Sequence, residues 1–246
     1  MRGVPEPRTA TPLPLGPTYA AAWETYRASF ARVVGISLLV FVPATAINAA
    51  ARHFSEDLDG PTNGAIALAI AVTLVTSIAS TLGSSFYAGV VDYTVHAHRH
   101  GTEHVPLGTV LRTLPYWRMF AVSTVAAAIT AVGFILFIVP GLIALTLLSI
   151  AGPLLVMERL TVRGALRRSA RLTRRHFWRV VVVIVLPVFL ENTLVDAVST
   201  YVGHTLLAET LIHGGLASVI YAYVMLVEVH AAHWLSDEDH ALLRNS

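Results

Sequence analysis

The chain alternates long charge-free runs with short segments that carry arginine. Residues 33–51 lie between Arg32 and Arg52, and residues 60–91 lie between Asp59 and Asp92. A third run, residues 119–157, would make about 58 Å of helix, nearly twice the ~30 Å hydrocarbon core. Pro140-Gly141 falls near its middle and marks a tight turn, so two spans are predicted there. Val180–Leu190 is too short to cross alone, so a fifth span must run on through Glu191, and a sixth occupies residues 210–232. No ten-residue alternation of the kind a barrel strand needs is present.

The pattern therefore predicts an all-α, polytopic membrane protein of six transmembrane helices in three hairpins. The expected spans are about 33–51, 65–91, 119–139, 141–157, 180–199 and 210–232. Residues 1–17 read as a disordered cytoplasmic tail, 18–235 as one membrane domain, and 236–246 as a second cytoplasmic tail.

Composition sharpens this. Of 246 residues, 55% are hydrophobic and only 13% charged, against about 25% charged in a typical soluble domain. Charges this few cannot cover a soluble surface. The 17 basic residues are all arginine and face 15 acids, a net charge of +2 too even to imply nucleic-acid binding. With no cysteine, disulfides, thiolate metal sites and cysteine nucleophiles are excluded. The N-terminal residues lack an apolar core, so no cleaved signal peptide is expected.

Arginine placement predicts direction. With the N-terminus inside, every arginine but Arg52 falls in an inner segment, and Arg52 sits among Glu56, Asp57 and Asp59. The positive-inside rule then places both termini in the cytoplasm. It also requires an even number of spans between the two arginine-rich loops, in agreement with splitting 119–157.

The densest arginine segment is residues 158–179. At 100° per residue, Val162, Ala165, Leu166, Ala170, Thr173 and Phe177 share one side. Arg163, Arg167, Arg171 and Arg174 line the other, with Arg168 and Arg175 beside them. This predicts a basic amphipathic helix lying on the inner leaflet. The six arginines are candidates for binding anionic lipid or a cytoplasmic partner, and a purely topological stop signal would explain the same run. Similar aromatic-plus-arginine entries at Tyr26–Val34, Tyr116–Phe120 and His176–Val181 each follow a short amphipathic stretch: Thr18–Arg32, Leu107–Trp117 and Val162–Phe177. They suggest three degenerate units, each a cytoplasmic interfacial helix followed by a membrane hairpin.

Several polar residues could carry chemistry. Asp92, His96 and His100 share a helical face, and Glu228, His230 and His233 fall at the same expected inner edge. Their types suit a zinc site, but a helix end closed by Gly101 also favours histidine, so no metal or cofactor is assigned. Glu191 falls about 20 Å from the inner end of its helix, a candidate for a proton or substrate pathway or for snorkelling to the outer surface. Glu158 is expected to pair with Arg163 or Arg167. The run Ser77, Ala79, Ser80, Gly83, Ser84 predicts close helix packing. No phosphate-cradling loop and no GxSxG motif occurs, so no catalytic residue is assigned.

Phe137–Ile143, Pro153–Glu158, Ala165–Thr173 and Phe177–Val180, with Arg99-His100-Gly101 and Val105–Gly108, resemble the membrane-domain family of glycerophosphoryl diester phosphodiesterases. That family includes the free-standing YciC-like bacterial inner-membrane proteins. The resemblance implies a six-helix inner-membrane protein without the separate catalytic barrel, and hence no enzyme. The exit of the last span departs from the family, with Val227-Glu228-Val229-His230 where an Asp-Leu-Arg-like sequence is usual. The leading expectation is a non-catalytic membrane protein that engages anionic lipid, or a membrane or cytoplasmic protein partner, through its arginine helix. A small transporter using Glu191 is the alternative, and a metal-dependent hydrolase a distant third.

Overall fold

A computed structural model describes residues 12–56, 63–102, 106–202 and 205–244. Among these every regular element is a helix. In chain order they are α1 (Leu15–Ala28), α2 (Phe30–Glu56), α3 (Asn63–His100), α4 (Leu107–Thr113), α5 (Tyr116–Leu136), α6 (Ile138–Leu148), α7 (Ala151–Met157) and α8 (Val162–Arg175). Then come α9 (Phe177–Val180), a π-helical turn (Val181–Val185), α10 (Leu186–Val202), α11 (Leu206–Glu209), a second π-helical turn (Thr210–Leu216) and α12 (Ala217–Arg244). The expected tail at residues 1–17 lies largely outside the described residues, and α1 already begins at Leu15.

Among the described residues five helical stretches are long and apolar enough to cross a membrane: Phe30–Ile47, Tyr116–Leu136, Ile138–Met157, Phe177–Val198 and Thr210–Arg244. This is a multi-pass membrane architecture. Large apolar side chains such as Leu39, Ile135, Phe137 and Phe189 stand exposed on these helices, as a hydrocarbon solvent permits and water does not.

The prolines explain where the helices break. A proline ring clashes with the carbonyl four residues earlier and offers it no N–H. Phe137, extended at φ −165° and ψ 158°, separates α5 from α6, and Pro140 then sits in the first turn of α6, where its missing N–H costs little. The same spacing recurs at Ile150 and Pro153, so the expected fourth span is broken into α6 and α7. Pro187 likewise follows the π-helical turn at Val181–Val185. Pro43 lies inside α2, which continues through it unbroken.

Three junctions repeat one geometry. The Ser29 carbonyl accepts from the N–H of Arg32 and Val33, both at 3.0 Å, and the His176 carbonyl from Arg179 (2.9 Å) and Val180 (3.0 Å). The Pro115 carbonyl accepts from Arg118 (2.9 Å) and Met119 (3.0 Å). Ser29 and His176 even share their dihedrals, φ −118° ψ 21° and φ −121° ψ 25°. Each junction turns a short helix into a long one, with an aromatic next (Phe30, Tyr116, Phe177), then an arginine, then a buried apolar residue (Val33, Met119, Val180). The three stretches expected as interfacial helices are thus separate helices, α1, α4 and α8.

Helix α12 runs through the middle and touches α1, α2, α3, α7, α8 and α10. Val224–Val227, Val229, Ala231, Ala232 and Leu235 are buried along it. Helix α1 lies against it: Tyr26 donates to the Val219 carbonyl at 3.2 Å, and Tyr19 donates to the Val182 carbonyl at 2.8 Å. Desolvation raises both phenols above their ordinary pKa, with Tyr223 adding to the effect at Tyr19, so both remain protonated donors.

Helices α5 and α6 meet where a Cβ on Gly133 would lie 2.9 Å from the Gly141 Cα and 3.1 Å from the Pro140 carbonyl carbon. Backbone cannot yield as a side chain can. Gly133→Ala is expected to force the two helices apart and cost about 1–3 kcal/mol, read as a lowered unfolding temperature in detergent. Gly35→Ala, with nothing within 4 Å of the added methyl, should be neutral or slightly stabilising through helix propensity.

Candidate functional site

Helix α8 starts at Thr161, whose side chain accepts from the Gly164 N–H at 3.2 Å and so caps an orphan donor. The turn before it places Arg159 in the left-handed region at φ 51°, where glycine is the usual occupant. Its inward side carries Ala165, Arg168, Ser169, Leu172 and Thr173, all buried. Ser169 donates to the Leu147 carbonyl at 2.7 Å, fastening α8 to the end of α6.

The six candidate arginines divide. Arg163, Arg167, Arg171 and Arg174 are exposed and form no ion pair among the described residues. Arg168 is buried. Its guanidinium donates to both Glu158 oxygens at 3.2–3.3 Å and, on another edge, to Asp239 Oδ2. Arg175 reaches the other Asp239 oxygen at 3.2 Å, and Ser236 donates to Glu158 Oε1 at 2.7 Å. Glu158 thus pairs with Arg168 rather than Arg163 or Arg167. Ten residues of α7–α8 turn bring positions 158 and 168 face to face, where an i,i+5 or i,i+9 spacing does not.

The partners from α12 were missed in the sequence because residues 236–246 read as a tail. The helix instead continues unbroken to Arg244, and both Ser236 and Asp239 are buried. Polar residues along this end hold several neighbouring elements. Thr25 lies 3.0 Å from His230, Asp92 2.9 Å from His233, Arg99 2.7 Å from Asp237, and His176 3.1 Å from Glu238. The signal available was phase: Ala231, Ala232, Leu235 and Asp239 follow one another at helical spacing.

The same contacts disperse the candidate zinc ligands. Asp92 and His233 pair with each other, and His230 turns to Thr25. His96 and His100 stack at 4.2 Å on an exposed surface. Among the described residues no group of three or more histidines and carboxylates could hold a metal. Glu191 is half-buried on α10 and does not line the cavity bordered by α3, α5, α6–α7 and α12; the carboxylate that does is Glu228.

Beside the exposed arginines lies an open hollow of about 890 Å³. Ile143 and Leu147 of α6 and Ala170 and Phe177 form its apolar wall, and Arg171, Arg174 and Arg175 its charged margin. Chemically this accepts an anion attached to an apolar body. No family model matches the chain, and neither a curated protein nor a solved structure matches it.

Removing one member of a buried pair strands the others. Arg168→Gln should cost about 3–5 kcal/mol, whereas Arg163→Gln, at the exposed face, should fall within about 0.5 kcal/mol. Thermal unfolding of the purified variants in one detergent checks the contrast.

Proposed function

We propose that this chain is a non-catalytic protein of the cytoplasmic membrane whose inner face holds an anionic phospholipid at the arginines of α8. On this reading it crosses the bilayer six times as three hairpins, α3 supplying a span beside the five apolar stretches, and both termini are cytoplasmic. Support for α3 comes from its 38-residue length and from the charge-free run at residues 60–91. Support for the direction comes from the arginines, of which Arg52 alone would lie outside. The six-helix reading is also what the resemblance to the phosphodiesterase membrane-domain family implies.

The observation that carries the lipid reading is the hollow between α6 and α8. Ile143 and Leu147 belong to a stretch apolar enough to cross a membrane, so acyl chains would have access to that wall. Arg171 and Arg174 stand at its margin with no acid among the described residues to neutralise them, and arginine forks match phosphate oxygens. A cytoplasmic protein would need the arginines but not the apolar wall. Arg168 and, in part, Arg175 are withdrawn from this role by Asp239.

In titrations of the full chain with phosphatidylglycerol, Arg171→Gln/Arg174→Gln is expected to weaken binding about thirty-fold, taking ~1 kcal/mol per arginine near an anionic surface. Added salt should weaken the wild type more steeply than the variant, and phosphatidylcholine should distinguish neither. Equal phosphatidylglycerol binding by both proteins would overturn the lipid reading and leave α8 to a protein partner or to topology.

Direction has its own check. A cysteine placed at Ser55 should react with an impermeant thiol reagent in intact cells, and one at Arg244 should not. Reversed labelling would overturn the orientation.

A further inference from the structure

Glu228 stands apart from the other acids on its helix. Asp237 is paired with Arg99, Glu238 with His176, and Asp239 with Arg168 and Arg175. Glu228 makes no hydrogen bond or ion pair among the described residues. It borders a cavity of about 540 Å³ between α3, α5, α6–α7 and α12. A lone carboxylate in apolar surroundings must hold a proton or meet a positive partner.

Three serines of the cavity wall present acceptors. Ser84 and Ser85 spend their hydroxyl hydrogens on the Thr81 carbonyl at 3.0 and 2.8 Å, and Ser149 spends its own on the Thr146 carbonyl at 2.9 Å. What each can still offer a ligand is an oxygen lone pair. The Ser149 carbonyl is also deprived of its helical donor, because Pro153 has no N–H. The wall is therefore rich in acceptors and carries one carboxylate. Ser123, Thr130 and Tyr221 add hydroxyls that can donate or accept, and the rest is apolar or aromatic, including Met119, Val122 and Phe134, with aromatic faces that also attract cations.

We propose that this cavity is a binding site for a small organic ammonium ion with an apolar body, its N–H groups donating to Glu228 and the serine oxygens. A lining with one carboxylate and no basic residue selects against carboxylates and phosphates, so the site differs in ligand chemistry from the arginine hollow and does not depend on it. The volume of about 540 Å³ lies within the ~300–1,000 Å³ usual for small-molecule pockets.

The test is calorimetric titration of the full chain in lipid nanodiscs with 2-phenylethylammonium, after subtraction of empty nanodiscs. Wild type is expected to bind saturably, Glu228→Gln at least ten-fold more weakly, and Glu191→Gln as wild type does. The carboxylate analogue 3-phenylpropanoate should not bind. Ala126→Leu, which fills the cavity without touching Glu228, should also abolish binding and serves if Glu228→Gln fails to fold. No saturable binding to wild type, or binding unchanged in both Glu228→Gln and Ala126→Leu, would overturn the proposal.

Discussion

Arg168 sits on the inward side of a helix whose other arginines mostly face outward, and its charge is tolerable there because carboxylates reach it from two directions. Glu158 comes from the end of α7 and Asp239 from α12. Stripping water from three ionic groups costs several kcal/mol per ion unless geometry repays it. A guanidinium can meet two carboxylates on separate edges, which a single ammonium point charge does less well. The position of α8, and hence the direction of its exposed arginines, follows from this contact together with the Ser169 bond to Leu147.

Helix α12 shows how burial changes the meaning of a charge along one element. Toward its polar end each acid meets a base on a neighbouring helix, and the result is structural cohesion. Within its apolar part Glu228 borders a cavity whose lining holds no basic residue, and among the described residues it forms no ion pair. Both sites have positions with the same residue type and the same helical backbone. What separates them is whether arginine or histidine happens to lie across the interface.

The class of fold was legible because hydrophobic length is a one-dimensional property. Charge-free runs bounded by charged residues locate the apolar helices, and the aromatic-arginine entries locate the junctions at Ser29, Pro115 and His176. Less legible was the break at Ile150, although Pro153 carried the signal, because a proline's effect falls on the turn before it. The sequence also ended the last helix near Ala232, since Ser236-Asp-Glu-Asp-His240 has the composition of a solvated tail. Those residues are polar because they pair with other helices, and pairing is a three-dimensional fact. Glu191 drew notice by its depth in a span, whereas Glu228, nearer the expected edge, proved to face the cavity. Which side of a helix looks into a void depends on packing that periodicity does not encode.

The two carboxylates on Arg168 differ in when they exist. Glu158 lies ten residues before the arginine and is already part of the chain when Arg168 is made. Asp239 follows it by 71 residues, a delay of roughly 4–14 s at ~5–20 residues per second of synthesis. Throughout that interval the synthesised chain holds only the local carboxylate of the pair, so the second half of this charge contact waits on the last helix.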